Sequence, residues 1–261
     1  MNRQVRYPLV KINPFTINHM HLRNPWMMAW MAACFPGYGH LILCKYFEGY
    51  LFIIWEFFIN YKIKLNTAIF LSMTGNFQEA QNLINTNWFL LYITVYVFQI
   101  WHCMRLTFQL NKFTILARRE KAPYKNYSMN WSEINYLYRR NPKHAVYWSA
   151  FTPGLGHLYL NHLPTGIFEF IWFVITVYYS NLLPAVNLTM QGNFAEATAV
   201  LDPQWLLFIP SVFVYNLYST YVNGKEYNKY FDVELSRYFE KNYQSHKFQM
   251  PNRTPLKVGK D

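Results

Sequence analysis

Charge is what this chain has least of. Only 14% of its 261 residues are Asp, Glu, Lys or Arg, against about a quarter in an ordinary soluble domain. Acids are the scarcer sign, 13 against 24 bases, and the stretches 65–87 and 181–204 hold no Lys or Arg at all. The three cysteines, Cys34, Cys44 and Cys103, sit in apolar segments without metal-ligand spacing. Their odd count argues against a disulfide framework, and they read as buried thiols. No apolar run followed by a small-residue cleavage site opens the sequence, so no cleavable signal peptide is expected. No Walker loop, dinucleotide fingerprint, Gly-x-Ser-x-Gly or His-Glu-x-x-His is present. Those absences argue against the enzyme classes such motifs carry. The expectation is a non-enzyme with no catalytic residue, no cofactor and no metal.

What is present is apolar and aromatic. Hydrophobic residues make up 52% and aromatics 20%. The mean hydropathy of −0.06 understates this, because 22 tyrosines count as polar on that scale although their rings suit a membrane interface. Basic residues cluster. Four lie in 1–25, nine in 105–143 and eight in 225–261, leaving Lys45, Lys62 and Lys64. Basic blocks that bracket apolar stretches follow the positive-inside pattern of a multi-pass membrane protein. The net charge of +11 then faces anionic lipid. A nucleic-acid binder would gather its basic residues into one patch, so no nucleic acid is expected.

The chain repeats itself at an offset of 153 − 36 = 117. Pro36-Gly37-Tyr38-Gly39-His40-Leu41 returns as Pro153-Gly154-Leu155-Gly156-His157-Leu158. Without a gap, Asn24-Pro25 matches Asn141-Pro142, Gly49 matches Gly166, Ile54-Trp55 matches Ile171-Trp172, and Trp88 matches Trp205. Over 24–105 against 141–222, 26 of 82 positions are identical. That identity marks a tandem duplication of one unit of about 80 residues.

Each unit divides alike. Segment A (26–35, 143–152) is a short apolar helix broken by Pro-Gly. Segment B (49–63, 166–180) is nearly uniformly apolar. A linker rich in Asn, Gln and Thr follows, and segment C (88–104, 205–221) opens on a Trp. B and C approach the roughly 20 residues that cross a bilayer. If only B and C cross, all three basic blocks lie inside and both Lys/Arg-free linkers lie outside. The expected fold class is therefore all-α: an integral membrane helical bundle of two parallel repeats, with four full spans plus two short re-entrant or interfacial segments. Six spans are the alternative. The expected organisation is a basic cytoplasmic N-terminus (1–23), repeat 1 (24–105), a basic cytoplasmic connector (106–140), repeat 2 (141–222), an amphipathic aromatic helix (223–247) and a disordered tail (248–261). Both termini are then cytoplasmic.

Three motifs carry the candidate chemistry. In the turn, Pro36 and Pro153 break the helix, while Gly37, Gly39, Gly154 and Gly156 permit positive φ and close backbone approach. Such backbone survives in a membrane only where protein or water satisfies it. His40 and His157 thus either line a polar cavity or hydrogen-bond a freed carbonyl. Glu56 and Glu169 interrupt segment B. They align with Phe173 and Phe52, so they are not equivalent, but positions 52 and 56 share one helical stripe. Acids in a span usually face the bundle interior or a wet cavity, which makes His40, His157, Glu56 and Glu169 a candidate polar cavity. On the outer side, Gly75-Asn76-Phe77-x-Glu79 and Gly192-Asn193-Phe194-x-Glu196 each begin a short amphipathic stretch, with the acid near a helix N-terminus. They are read as interfacial helices or a solute-capturing loop.

Beyond the second unit, Tyr227, Tyr230, Phe231, Leu235, Tyr238, Phe239 and Tyr243 recur at spacings of three and four. This amphipathic stripe is suited to lipid or a partner. Segment A with Pro153–Leu160 and Gly166-Ile167-Phe168-Glu169-Phe170 resembles the PGxGQxYxxxxxKG hairpin of small bacterial membrane modules. These are the TM2-type proteins and the extra N-terminal module ahead of some Gram-positive sugar ABC permease cores. Val97–Trp101 and Val214–Tyr218 are similar to that module's exit. Histidine stands for the usual Gln, and no permease core follows. The resemblance implies a bacterial cytoplasmic membrane protein and carries over no catalytic residue. Two functions stay open. One is a scaffold or accessory subunit, with membrane lipids around it and a protein partner bound through 106–140 and 223–247. The other is a small transporter or channel using the turn and the B-helix acids. A membrane-embedded enzyme is a third, less supported option.

Overall fold

Asn24 and Asn141 open the first helix of each unit in the same way. The Asn24 carboxamide accepts from the Trp26 amide at 2.9 Å, the Asn141 carboxamide from the Lys143 amide at 3.0 Å, and proline follows each cap. Side-chain capping satisfies an amide that the helix leaves free, and proline at the first helical position wastes no donor. The computed structural model describes residues 8–120, 124–125 and 127–245. The expected disordered tail, 248–261, lies outside them.

The elements run in two series. The first is a hairpin of β1 (Val10–Ile12) and β2 (Ile17–His19), then α1 (Pro25–Cys34), α2 (Tyr38–Ile42), α3 (Tyr46–Ile63), α4 (Leu65–Met73), α5 (Phe77–Leu83) and α6 (Thr86–Glu120). The second is β3 (Tyr127–Met129) and β4 (Ile134–Tyr136), α7 (Pro142–Phe151), α8 (Leu155–Tyr159), α9 (Leu163–Tyr179), α10 (Leu182–Met190), α11 (Phe194–Val200), α12 (Pro203–Leu206) and α13 (Phe208–Asn242). The backbone exceptions recur with them. Gly37, Cys44, Lys64 and Gly75 adopt positive φ, and so do Gly154, Asn161, Asn181 and Gly192, each 117 residues later.

The fold is mostly helical, but four three-residue strands depart from the all-α expectation. Each hairpin is antiparallel, pairing Val10 with His19 and Tyr127 with Tyr136. They occupy stretches read as basic terminus and connector. The sequence there lacks the long alternation that announces a strand.

Segment C is longer than expected. α6 and α13 each hold 35 residues, about 50 Å of helix against about 30 Å of hydrocarbon. The expected boundaries at 105/106 and 222/223 therefore fall inside continuous helices. Among the described residues two helices are long and apolar enough to cross a membrane, α6 and the stretch Pro203–Asn242. α9 and α10 pass the same test together but are bent by 59°, at left-handed Asn181. α3 is 18 residues long but contains Glu48, Glu56 and Lys62. The linkers are not loops: α4, α5, α10 and α11 fill most of them.

α1 lies along α6, and α7 along α13. The main core joins both series, with Met28, Phe35, Tyr38 and Leu41 packed among Trp172, Phe208, Val212 and Tyr215. A second core docks the first hairpin onto the far end of α13, where Tyr227 Oη donates to the Ile17 carbonyl at 3.1 Å and Tyr230 Oη donates to that of Met20. Two of the seven residues of the stripe expected to face lipid or a partner are thus internal. Tyr227 and Tyr230 are buried, while Tyr238, Phe239 and Tyr243 are exposed.

Candidate functional site

Each turn is built around two backbone approaches. Gly37 has φ 96°, and a Cβ there would lie 2.3 Å from the Gly49 carbonyl oxygen on α3. Gly154 has φ 94°, with the Gly166 carbonyl oxygen 2.5 Å from the same construction. Gly49 and Gly166 match across the units for a different reason: a Cβ at either would lie 2.6 Å from the side chain of Leu41 or of Leu158. The second glycines are helical, so positive φ does not apply to them and close approach does. Gly39 and Gly156 are required by space, since a Cβ would meet the Met28 carbonyl oxygen at 2.8 Å or that of Ala145 at 2.3 Å.

The histidines do not bond freed carbonyls. Around the first turn those accept from the long helices: Gln99 Nε2 donates to the Ala32 carbonyl at 2.8 Å, Tyr96 Oη to that of Ala33 at 2.7 Å and Ser211 Oγ to that of Cys34 at 3.1 Å. Instead each histidine reaches the long helix of its own unit. His157 Nε2 lies 2.8 Å from Ser219 Oγ, and His40 Nε2 lies 3.1 Å from His102 Nδ1. Beside His40, Glu48 Oε2 is 3.9 Å from His102 Nδ1. His40, Glu48 and His102 each bring one donor atom within 4.8 Å of the others, a set that could hold a divalent cation. A cation would replace the existing bond between the two rings. The corresponding residues of the second unit are His157, Thr165 and Ser219, which do not form such a set.

Glu169 is the centre of the interior. It is 0% exposed. Its Oε2 accepts from Tyr38 Oη at 3.3 Å and from Asn216 Nδ2 at 3.0 Å. Asn216 Oδ1 in turn accepts the Gly154 amide at 2.9 Å. Tyr38 stacks on Tyr215 with ring centroids 4.2 Å apart, and Tyr215 also stacks on the His157 ring at 5.7 Å. One carboxylate therefore ties the turns of both units to α9 and α13.

Glu56 belongs to a different network. Its Oε1 accepts from Asn60 Nδ2 at 2.9 Å. Asn60 Oδ1 accepts from Gln204 Nε2 at 2.8 Å, and Asn66 Nδ2 donates to the Gln204 carbonyl at 2.9 Å. Glu56, Asn60 and Asn66 line a cavity of about 250 Å³ with Tyr92, Tyr96 and Ser211. The four residues expected to share one cavity are thus distributed over three places. Glu169 and His157 flank Tyr215, Glu56 faces the amide cluster, and His40 pairs with His102. Neither turn histidine is bonded to either acid. The partners Tyr38, His102, Asn60, Asn66, Gln204 and Asn216 were missed. Asn216 carried the one available signal, since it aligns with Gln99, whose Nε2 donates to the Ala32 carbonyl at 2.8 Å.

The motifs expected on the outer side are surface features. Gly75 and Gly192 have positive φ with nothing within 4 Å of a built Cβ. Asn76 and Asn193 precede α5 and α11 without a side-chain cap, and Glu79 and Glu196 stand in the first turns. Phe77 and Phe194 are exposed, while Ala80 and Ala197 pack inward.

No protein-family model, no curated protein and no solved structure matches this chain.

Proposed function

We propose that this chain is a non-catalytic, multi-pass scaffold or accessory subunit of a bacterial cytoplasmic-membrane complex. The observation that carries the reading is the Glu169 bridge. The most buried ionisable group of the B helices is occupied by internal donors from both units, as expected of an acid that locks a bundle. Large apolar side chains face outward along α1, α3, α6 and α9, among them Trp30, Ile54, Val97, Trp101 and Val174, a distribution suited to lipid. At the basic end, a groove of about 930 Å³ runs between the hairpins and α13, lined by Lys11, Tyr124, Lys125, Tyr127, Met129 and Glu234. With Tyr238, Phe239 and Tyr243 nearby in sequence, it offers a partner surface.

In this reading the units are parallel, with segments B and C crossing, the A segments dipping in from the cytoplasm, and α5 and α11 outside. Cysteine labelling in intact cells tests it. An impermeant reagent is expected to modify cysteines placed at exposed Asn82 and Ala199 but not at Lys125. The reverse pattern overturns the topology.

Transport is the second reading, favoured by one observation: Glu56 lines a cavity. Reconstituted protein is expected to show no cation- or pH-driven flux above empty vesicles. Flux in wild type that disappears in Glu56→Gln would replace the accessory reading with transport.

A further inference from the structure

Arg23 has a backbone that is fully accounted for and a side chain that is not. Its amide donates to Asn111 Oδ1 at 3.0 Å, and Asn111 Nδ2 donates to its carbonyl at 2.8 Å. The same brace recurs 117 residues later, where the Arg140 amide donates to Asn228 Oδ1 at 2.9 Å and Asn228 Nδ2 donates to the Arg140 carbonyl at 2.7 Å. The guanidinium groups then part. That of Arg140 lies over the rings of Tyr136 and Tyr159, 5.8 and 5.5 Å from their centroids. The positions corresponding to those rings in the first unit hold His19 and Ile42. Arg23 is 7% exposed, and its Nε and Nη2 are buried without a hydrogen-bond partner.

The surroundings add donors and positive charge. His19 and His21, both buried, stack with centroids 4.9 Å apart. Both ring nitrogens of His19 and Nδ1 of His21 also lack partners. Burial, reinforced by Arg23, holds both imidazoles well below the usual histidine range. A cavity of about 220 Å³ opens here, lined by Lys11, Asn18, His19, Arg23, Cys44 and Lys45 among others. It is far larger than the about 30 Å³ of one liquid water. The nearby acids are engaged elsewhere, Glu48 with Lys45 and Glu226 with Lys229. Among the described residues no carboxylate forms an ion pair with Arg23.

A buried charge without a counter-charge is strongly unfavourable, and removing one partner of a buried pair leaves this arrangement. The guanidinium fork matches the oxygens of a phosphate. Two lysines on the rim favour a ligand with more than one negative charge. We propose that the cavity between the first hairpin and the start of α3 is a binding site for a phosphate-type oxyanion, held by Arg23, Lys11 and His19, with His21 stacked behind His19. The ligand is either the headgroup of an anionic phospholipid or a soluble phosphate. The lipid source rests on the membrane reading above, whereas the soluble one does not.

The test is thermal unfolding of the full chain in neutral detergent, followed by tryptophan fluorescence. Phosphatidylglycerol is compared with phosphatidylcholine, and inorganic phosphate with chloride at equal ionic strength. A saturating anion is expected to raise the midpoint by about 5 °C or more. A response to phosphatidylglycerol alone assigns a lipid headgroup, and a response to phosphate assigns a site open to soluble anions. Arg23→Gln is expected to abolish the shift, and Lys11→Gln, on an exposed strand residue, to reduce it in a protein that folds normally. Arg140→Gln is expected to leave the shift intact. The proposal fails if neither anion shifts the wild type, or if Arg23→Gln shifts as much as wild type. Should Arg23→Gln not fold, an undiminished shift in both Lys11→Gln and Arg23→Lys overturns it.

Discussion

Gly156→Ala is expected to leave almost no folded protein in the membrane, while Gly75→Ala accumulates close to wild-type levels. The two substitutions add the same methyl group to very different surroundings. At Gly156 the new carbon would lie 2.0 Å from Ser149 Oγ, 2.3 Å from the Ala145 carbonyl oxygen and 3.0 Å from Thr220. The serine can rotate, but the carbonyl belongs to α7, which is packed along α13. Overpacking a closed core costs about 1–3 kcal/mol, and overlap with backbone belongs at the upper end or beyond. At Gly75 the surroundings are open, and the φ of +87° is the sole constraint, worth about 1 kcal/mol or a little more. Gly154→Ala combines both problems and should behave like Gly156→Ala. Protein level in the membrane fraction and the detergent melting point read the difference. Equal accumulation of Gly156→Ala and Gly75→Ala would show that the turn tolerates separation of α7 from α8.

Asn216→Leu is expected to destabilise the bundle by about 2–6 kcal/mol, from two buried groups losing a partner at about 1–3 kcal/mol each. Leucine fills nearly the same volume but offers nothing to Glu169 Oε2 or to the Gly154 amide, both of which Asn216 serves directly. Glu169→Gln keeps an oxygen that accepts from Tyr38 and Asn216, so its cost should stay below about 1 kcal/mol. Denaturant titration in mixed micelles measures both. A strongly destabilised Glu169→Gln beside a neutral Asn216→Leu would mean that the carboxylate acts through its unpartnered Oε1 rather than through this bridge.

The contrast between these residues shows what could be read from the chain. The turn was legible because proline and glycine state their geometry locally: Pro36-Gly37 and Pro153-Gly154 can only break a helix. Of the two reasons given for Gly39 and Gly156, close backbone approach to α1 and α7 holds and positive φ does not, because packing rather than the local sequence decides between them. The stripe bearing Glu56 and Glu169 was visible from helical spacing. Their separation was not, since Tyr38 lies 131 residues from Glu169 and Gln204 lies 144 from Asn60. The hairpins left a faint trace. Asn13, Ile17, Asn18 and Arg23 match Asn130, Ile134, Asn135 and Arg140 at the same offset, which carries the duplicated unit upstream of residue 24. Three-residue strands are too short for alternation to reveal them.

The docking of the first hairpin onto α13 sets an order of events during synthesis. Ile17 must wait for Tyr227, 210 residues later. At about 5–20 residues per second the ribosome takes roughly 10–40 s to supply it. Through that interval the earliest-made part of the molecule has its helices but not its cover, and Arg23 with its two histidines stands open. The first unit is therefore completed last, by the final helix of the second.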